Sequence, residues 1–414
     1  MPDGWTSCTL GDFIELKRGY DLPQAERRAG SVPVVSSSGV SGTHDEAKVQ
    51  PPGVVTGRYG TLGEVHFINE PFWPLNTTLY VRDFKGNDAR FVAYFLKLMD
   101  FGGSNDKSSV PGLNRNHLHR YEITVPLPDE QRAIAGLLGA LDDKIEQNRR
   151  TAAKLEALAR ATFRAWFVDF APVRAKAAAQ RTYPGLSPAA FAALPDRLTD
   201  SRLGPIPAGW EVGPISTLAQ LSTEQVNPLD HPEEVFDHFS IPAFDAGEGP
   251  VREAGDSIKS GKLLVPPGCV MISKLNPRIP RIWLPVATEG VRPIASTEFI
   301  VLVPNAEYHR SFLAGLISQE AFLNELTGQA TGTSNSHQRI KPKAFMATDV
   351  VLPPVGLRKA YDEMVAPILE LIQQGRNESR HLAALRDYLL PRLLSGVVRV
   401  RDAVQQGGEH DANN

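Results

Sequence analysis

The sequence is poor in cysteine and has no long hydrophobic run. Only Cys8 and Cys269 occur in 414 residues, which excludes a disulfide framework and argues against a cysteine-based zinc site. Pro, Gly or charged residues interrupt every apolar stretch before it reaches membrane-spanning length, and the N-terminus lacks the pattern of a signal peptide. We therefore expect a cytoplasmic protein that makes no membrane contact.

The sequence also lacks the common catalytic signatures, with no G-x-x-x-x-G-K-[ST], G-x-S-x-G or H-E-x-x-H. The glycines of residues 57–63 indicate a tight hairpin rather than a phosphate-binding loop, because strand-forming residues follow them. His117 and His119 have no further ligand at metal-binding spacing. Residues 69–72 match an adenine-methyltransferase motif only in part, and no glycine-rich cofactor loop precedes them. We expect no catalytic residue, no metal and no cofactor bound by this chain.

An internal repeat is present instead. The opening Pro2-Asp3-Gly4-Trp5 recurs as Pro207-Ala208-Gly209-Trp210, at an offset of 205 residues. A later segment repeats at an offset of 227, where six residues meet identical types at 372, 374, 376, 382, 384 and 385, namely Ile145, Gln147, Arg149, Leu155, Ala157 and Leu158. One unit therefore occurs twice, and the second copy is longer.

Each copy predicts a β-rich domain followed by a long helix, which makes the fold class α+β. Short apolar runs such as Gly53–Thr56 and Cys269–Ser273 are bounded by turn residues and indicate strands, and short helices are expected near residues 88–99 and 308–325. We predict six segments: a first domain at 1–127, a long helix at 128–170, a linker with at most one short helix at 171–206, a second domain at 207–353, a second long helix at 354–396 and a disordered tail at 397–414.

The two long helices carry apolar residues at the alternating spacing of a coiled coil. Such a stripe has to be buried, so we predict that the two helices pack on each other. We expect Pro367, Gly375 and Pro391 to bend or break the second helix. Asn148 also lies on the stripe; a polar layer that sets the register is one alternative, but we favour a side chain that reaches solvent. The predicted helix seam comprises Ile134, Leu138, Leu141, Ile145, Leu155, Trp166, Val365, Ile368, Ile372, Leu382, Leu389 and Leu393.

The near-neutral total charge of -3 hides a strong local separation. Residues 224–256 carry a local charge of -8, whereas residues 257–292 carry +5, so we expect a basic surface in the second copy. Polar loops rich in Lys, Ser, Asn and Gln occur at matching positions in both copies, and these side chains bind phosphates and base edges. The candidate DNA-binding residues are Arg58, Tyr59, Lys107, Ser108, Asn114, Arg115, Lys274, Arg278, Arg281, Ser334, Asn335, Gln338, Arg339 and Lys341.

Along residues 4 to 400 the chain resembles the DNA specificity subunit of type I restriction-modification systems. Two of the matching segments open the halves, at Gly4-Trp5 and Leu203–Trp210. Three others flank the long helices, at residues 123–131, 163–170 and 388–396. No single segment is decisive, but their order and duplication are specific to that family.

The resemblance implies two target-recognition domains held apart by two antiparallel coiled-coil helices in a pseudo-twofold arrangement. Each domain would read one half of a bipartite site in double-stranded DNA, and the helices would set the spacer and dock two methyltransferase (modification) subunits. Restriction subunits would join that core, and S-adenosylmethionine, ATP and magnesium would belong to these partners. One alternative is a scaffold that joins partner proteins and does not read DNA. Another is a stand-alone DNA methyltransferase or nuclease, and the missing catalytic signatures disfavour this second alternative.

Overall fold

The structure is a computed structural model that describes residues 4–59, 63–99, 113–247, 249–330 and 338–400. The chain forms two compact units: the first contains the residues up to Ile145 together with those from His381 onward, and the second is Glu146–Arg380. Helices and sheets occur in both units, so the predicted α+β class is confirmed. Within the described ranges, no helix combines the length and apolarity that a membrane crossing requires.

The first unit is built from short strands and small helices, followed by the first part of a long helix. In chain order these elements are β1 (Trp5–Thr9), α1 (Leu10–Phe13), β2 (Glu15–Arg18), β3 (Val32–Ser36), β4 (Gly39–His44), β5 (Gly53–Gly57), β6 (Val65–Ile68), β7 (Trp73–Pro74), β8 (Thr78–Asp83), α2 (Ala89–Leu98), α3 (Arg115–Leu118), β9 (Glu122–Pro126) and α4 (Pro128–Phe163). A 3-10 turn lies at Gln24–Glu26, and a π-helical turn, Arg164–Val168, continues α4.

Two sheets and one strand pair organise this unit. The larger sheet is antiparallel, with the order β2-β8-β5-β6, and the smaller has the order β4-β3-β7. The predicted hairpin after Gly53–Thr56 is confirmed, because β5 pairs with β6. Strand β1 pairs with β9, with Trp5 opposite Pro126. The opening of the chain therefore lies beside the strand that leads into α4.

The second unit has the same kinds of element and more strands. Its further elements are α5 (Ala171–Ala177), α6 (Pro188–Ala192), β10 (Leu198–Thr199), β11 (Ile206–Pro207), β12 (Glu211–Pro214), β13 (Ala219–Ser222), β14 (Gln225–Val226), β15 (Val235–Phe239), α7 (Ile241–Asp245), β16 (Val251–Ala254), β17 (Lys262–Leu264), β18 (Val270–Ser273), β19 (Ile282–Trp283), β20 (Arg292–Ala295), β21 (Phe299–Pro304), α8 (His309–Ile317), α9 (Glu320–Gln329), α10 (Pro342–Ala347), β22 (Asp349–Leu352) and α11 (Val355–Leu394). Short 3-10 turns lie at Ile215–Thr217, Pro228–Asp230 and Gly255–Ser257.

The second unit contains a four-stranded sheet, β13-β21-β18-β19, and a five-stranded sheet, β14-β17-β20-β15-β16. Strand β12 pairs with β22, with Glu211 opposite Leu352. Strand β1 begins at Trp5 and β12 directly follows Trp210, so the strand at each Gly-Trp pair lies beside the strand leading into a long helix. Each long helix therefore begins directly after a strand that is paired with a strand from the start of the same β-rich part.

Both long helices contribute to both cores. In the first unit, Ile134 and Leu138 of α4 and Leu393 of α11 are buried in the same core. In the second unit, the ring of Phe163 lies 5.2 Å from that of Phe312 and 5.8 Å from that of Tyr361. Burying large aromatic rings of this kind contributes strongly to stability. The helices are therefore anchored in the β-rich parts and are not free rods.

One expectation about this region was wrong. The predicted linker, 171–206, contains two helices, and Val173 and Phe191 are buried in the core of the second unit. Phe170 reaches the same core, with its ring 5.5 Å from that of Trp210. The apolar side chains of this Ala- and Pro-rich segment find a surface to cover, so the segment is docked. The predicted tail lies outside the described residues from 401 onward.

The second long helix is continuous from Val355 to Leu394, so Pro367, Gly375 and Pro391 do not break it, and a bend at these residues stays a prediction. A proline in a helix interior costs about 3 kcal/mol, and burial of neighbouring residues such as Val365 and Leu393 offsets that cost. Packing on the rest of the protein therefore overrides the local preference.

Asn148 does not reach solvent, which corrects our preferred interpretation. The side chain is only 9% exposed, and its amide nitrogen donates to Glu378 Oε2 at 2.8 Å and to the carbonyl of Gly375 at 3.3 Å. The same nitrogen also lies 3.3 Å from Ser379 Oγ. Asn148 is therefore a polar layer between α4 and α11, the alternative that fits the register of a helix pair.

Candidate nucleic-acid interface

In the first unit, two separate polar loops meet at the end of strand β5. The backbone N–H of Arg58 donates to Thr77 O at 2.9 Å, and the N–H of Leu113 donates to Arg58 O at 2.9 Å. Asn114 caps α3, since its side-chain oxygen accepts from Asn116 N at 3.0 Å. Arg115 is the first residue of that helix and is exposed. The sequence-predicted residues Arg58, Asn114 and Arg115 therefore lie close together.

Tyr59 belongs to the same surface. Its side chain is 37% exposed, and the Arg58 guanidinium lies 4.6 Å from the centre of its ring. A cation over an aromatic ring keeps both groups ordered while leaving the N–H donors available. This pair can contact a phosphate and a base at once, which is the combination that nucleic-acid binding surfaces use.

The second unit joins its loops in the same manner. Lys274 follows strand β18, and its carbonyl accepts from the N–H of Ile340 at 2.9 Å. The N–H of Asn276 donates to Gln338 O at 2.9 Å, and Leu275 forms an isolated antiparallel bridge with Arg339. Lys274, Gln338 and Arg339 are thus brought together, and exposed Lys341 follows them. Of the remaining predicted contacts, Lys107, Ser108, Ser334 and Asn335 lie outside the described residues.

Arg281 does not fit the predicted role. It is only 8% exposed, and its Nε and Nη2 donate to the two carboxylate oxygens of Asp245 at 2.6 and 2.8 Å. Hydrogen bonds from Arg281 lower the pKa of the Asp245 carboxyl. Because Asp245 binds two of its three nitrogens and little of the side chain is exposed, Arg281 fastens its loop to α7, which disfavours the predicted DNA contact at this position.

Arg278 and Arg339 differ in their availability. Arg278 is exposed, and in the described part of the chain it has no hydrogen-bond or ion-pair partner. Arg339 forms a bidentate pair with Glu298, at 3.0 and 3.2 Å. That pair is partly exposed, so solvent screens it and its contribution to stability is small. A phosphate would have to compete with Glu298 for Arg339 but could bind Arg278 directly.

The acidic and basic segments of the second unit partly neutralise each other. Glu234 accepts from Arg292 Nε at 2.8 Å, and Asp245 binds Arg281 as described. Arg252, the single cation of the acidic segment, lies 3.6 Å from buried Asp237. The basic surface expected from residues 257–292 is therefore smaller than their charge suggests, because two of its arginines hold carboxylates of the acidic segment.

The predicted absence of metal ligands at His117 and His119 remains a prediction, but His119 has a clear structural use. Its Nε2 accepts from the N–H of Leu16 at 3.0 Å, and burial lowers the pKa of the imidazole. Among the described residues, no group of three His, Cys, Asp or Glu side chains is arranged to hold a metal ion. His119 therefore fastens β2 to the C-terminal end of α3.

Sequence reasoning missed two residues beside the first of these surfaces, Lys17 and Tyr20. Lys17 lies in β2 and Tyr20 follows that strand, and Lys17 Nζ is 3.5 Å from Tyr20 Oη. No motif distinguishes them in the sequence, and only the pairing of β2 with β8 places Lys17 opposite Tyr80.

Comparisons with known proteins point to one family. Residues 2–157 match the family model described as type I restriction modification DNA specificity domain. The chain is 24% identical over 343 residues to the type I restriction enzyme HindI specificity subunit of Haemophilus influenzae, covering 70% of this chain and 71% of that protein. It is 25% identical over 317 residues to the MjaIX specificity subunit of Methanocaldococcus jannaschii, covering 74% and 66% respectively.

A solved structure supports the same fold. The type I restriction-modification system S subunit from M. genitalium superimposes with a TM-score of 0.62 at 15% identity, covering 94% of this chain and 96% of that chain. Both the sequence family and the fold therefore agree with the resemblance found in the motifs. In sequence and in fold, the chain is similar to type I restriction-modification DNA specificity subunits.

Proposed function

We propose that this chain is a non-catalytic specificity subunit in which each β-rich domain reads one half of a bipartite DNA sequence. The observation that carries this proposal is the repeated loop junction. Leu113 binds the carbonyl of Arg58 in one unit, and Ile340 binds that of Lys274 in the other. Two equivalent polar surfaces suit two half-sites, because each side chain set can contact its own stretch of groove.

The long helices would act as the ruler between the half-sites. In this proposal α4 and α11 form an antiparallel coiled coil of two equivalent helices, related by a pseudo-twofold repeat. Asn148 and Gly375 support it, since they are in contact and are separated by 227 residues, the offset of the sequence repeat. Two weak binding sites on a rigid spacer bind tightly only to half-sites at the matching distance.

The same helices would dock two methyltransferase subunits, one on each repeat. Leu158 is 52% exposed and Leu385 is 46% exposed, and the two are identical residues at equivalent positions of α4 and α11. Exposed Ala157 and Ala384 precede them. An exposed leucine retained in both copies suits two copies of one partner. Restriction subunits would join this assembly, and S-adenosylmethionine, ATP and magnesium would bind to the partner subunits.

Methylome mapping in cells with and without this chain tests the proposal. We expect one bipartite motif, with a fixed spacer, to be methylated only when the chain is present. Replacing the loops of one unit should change one half of that motif and leave the other half intact. A methylation pattern independent of the chain would overturn the proposal and favour a scaffold, and methylation or cleavage by the purified chain alone would favour an enzyme.

A further inference from the structure

A cluster of lysine and tyrosine side chains lies beside the first polar surface. The backbone of Arg58 binds Thr77 O, while Gly19 N binds the neighbouring Thr78 O at 3.1 Å. Tyr20 N then donates to Pro74 O at 2.8 Å. Strand β8 therefore begins between the loop that carries Arg58 and the turn that carries Tyr20, and the two share one end of the sheet.

The polar groups of this cluster lie within hydrogen-bonding distance of one another. Tyr20 Oη lies 3.1 Å from Tyr80 Oη and 3.5 Å from Lys17 Nζ. Tyr80 is only 4% exposed, and burial raises the pKa of its phenol, so it keeps its proton. The hydrogen bond from Tyr80 lowers the pKa of Tyr20. Tyr80 can therefore donate to Tyr20, which leaves the proton of the half-buried Tyr20 hydroxyl for a ligand.

Lys17 supplies an uncompensated positive charge. Its ammonium lies 5.3 Å from the centre of the Tyr20 ring, and in the described ranges no carboxylate lies within ion-pair distance of it. Glu15, on the same strand, is already bound by Arg82. A free ammonium beside a free hydroxyl proton is a donor pair that suits a singly charged oxyanion.

We propose that Lys17 and Tyr20 together bind a DNA backbone phosphate next to the site contacted by Arg58, with Tyr80 as the positioning residue. This inference rests on the proposed DNA-reading function and adds to it a contact that fixes the register of the first domain. Phosphate contacts position a protein on the duplex without reading its sequence.

The contact belongs to the first unit alone. In the second unit, strand β13 pairs with β21 as β2 pairs with β8, and the residue pair corresponding to Lys17 and Tyr80 is Ser222 and Val301. Neither of these side chains carries a charge, and Val301 has no hydroxyl group. Loss of the contact should therefore weaken only the anchoring of the first domain.

The test measures binding of the full-length chain to a fluorescent duplex of mixed sequence, long enough for two half-sites, over a range of salt concentrations. We expect Lys17→Gln and Tyr20→Phe each to weaken binding roughly tenfold. Lys17→Gln should also reduce the slope of log affinity against log salt by about 0.9. Lys359→Gln is the matched control, because Lys359 lies 5.4 Å from the centre of a tyrosine ring, that of Tyr308, and its loss should leave binding unchanged.

The outcomes separate this inference from the function on which it rests. If the unaltered chain binds the duplex with a steep salt dependence but Lys17→Gln and Tyr20→Phe bind equally well, the phosphate contact is refuted and DNA binding stands. If the unaltered chain fails to bind, both are overturned. Circular dichroism of each variant shows whether it is folded. Tyr80→Phe removes the positioning hydroxyl and should weaken DNA binding less than Tyr20→Phe does.

Discussion

The side-chain amide of Asn148 donates to the backbone carbonyl of Gly375, 227 residues further along the chain. This separation equals the offset that aligns the two helical segments in sequence. A contact between equivalent positions is expected where two equivalent helices run in opposite directions. A Cβ at Gly375 would lie 3.8 Å from the Cβ of Asn148, an ordinary van der Waals distance, so the two helices are in contact at this point.

We predict that Asn148→Ala lowers the free energy of unfolding by about 1–2 kcal/mol, because it removes hydrogen bonds inside the helix pair and leaves Glu378 without this donor. Urea denaturation followed by tryptophan fluorescence measures the effect. The neighbouring Gln147 is exposed, so Gln147→Ala should change stability by less than about 0.5 kcal/mol. Equal effects of the two substitutions would contradict a role for Asn148 as a polar layer.

Gly315 in α8 should not tolerate a side chain. A Cβ there would overlap the ring of Phe163 and lie 2.9 Å from the hydroxyl oxygen of Tyr361. We expect Gly315→Ala to destabilise the protein by about 1–3 kcal/mol. Gly328 in α9 is the matched control, because a Cβ there meets nothing within 4 Å. Gly328→Ala should raise stability by up to about 1 kcal/mol, and thermal unfolding of both variants compares them.

Arg278 and Arg281 should respond differently to removal. Arg278→Ala is expected to weaken DNA binding roughly threefold to tenfold and to leave the melting temperature unchanged, because it removes only an exposed cation. Arg281→Ala should lower stability by about 1–2 kcal/mol, since it leaves Asp245 unpaired at a partly exposed site. Asp245→Asn should reproduce that loss. Weaker DNA binding by Arg281→Ala at unchanged stability would instead make Arg281 a direct DNA contact.

The second unit should become less stable in mild acid because of His309. Its Nδ1 lies 3.0 Å from Leu218 O and its Nε2 lies 2.7 Å from Arg358 Nη1. These partners require a neutral ring that donates from Nδ1 and accepts at Nε2. Burial and the nearby Arg358 charge lower the pKa of His309 in the folded state.

The stabilising effect of neutral His309 is present above the unfolded pKa of about 6.5 and is lost as the pH falls through the lower folded value. Unfolding free energies measured between neutral pH and pH about 5 should therefore decrease, and His309→Asn should reduce that slope. Partly buried His119, whose pKa is also lowered, accounts for part of the remainder. Substituting exposed His381 by Asn should leave the slope as it is; a slope insensitive to His309→Asn would refute its role.

Much of the secondary structure was predictable because it depends on local patterns. The apolar stripe through Ile134 and Leu138 predicted α4, and runs such as Gly53–Thr56 predicted strands. The continuity of α11 through Pro367 was not predictable, because it depends on the burial of Val365 and other residues against distant parts of the chain. The docking of Phe191 was missed for the same reason.

The candidate site divides along similar lines. Loop composition selected Arg58, Asn114, Lys274 and Gln338, and the structure brings the members of each pair of loops together. Composition did not distinguish Arg278 from Arg281, since the difference depends on Asp245, which lies 36 residues away from Arg281. It also passed over Lys17, whose neighbours Tyr20 and Tyr80 come from two strands.

By itself the sequence determined the α+β class and the positions of the two long helices. These properties follow from the periodicity and spacing of residues close together in the chain, which set the face that each element has to bury. Only the tertiary structure decided which charges are available to DNA and which polar residue lies between the helices. A cation is available or neutralised according to the carboxylates that folding places beside it, as Asp245 does for Arg281.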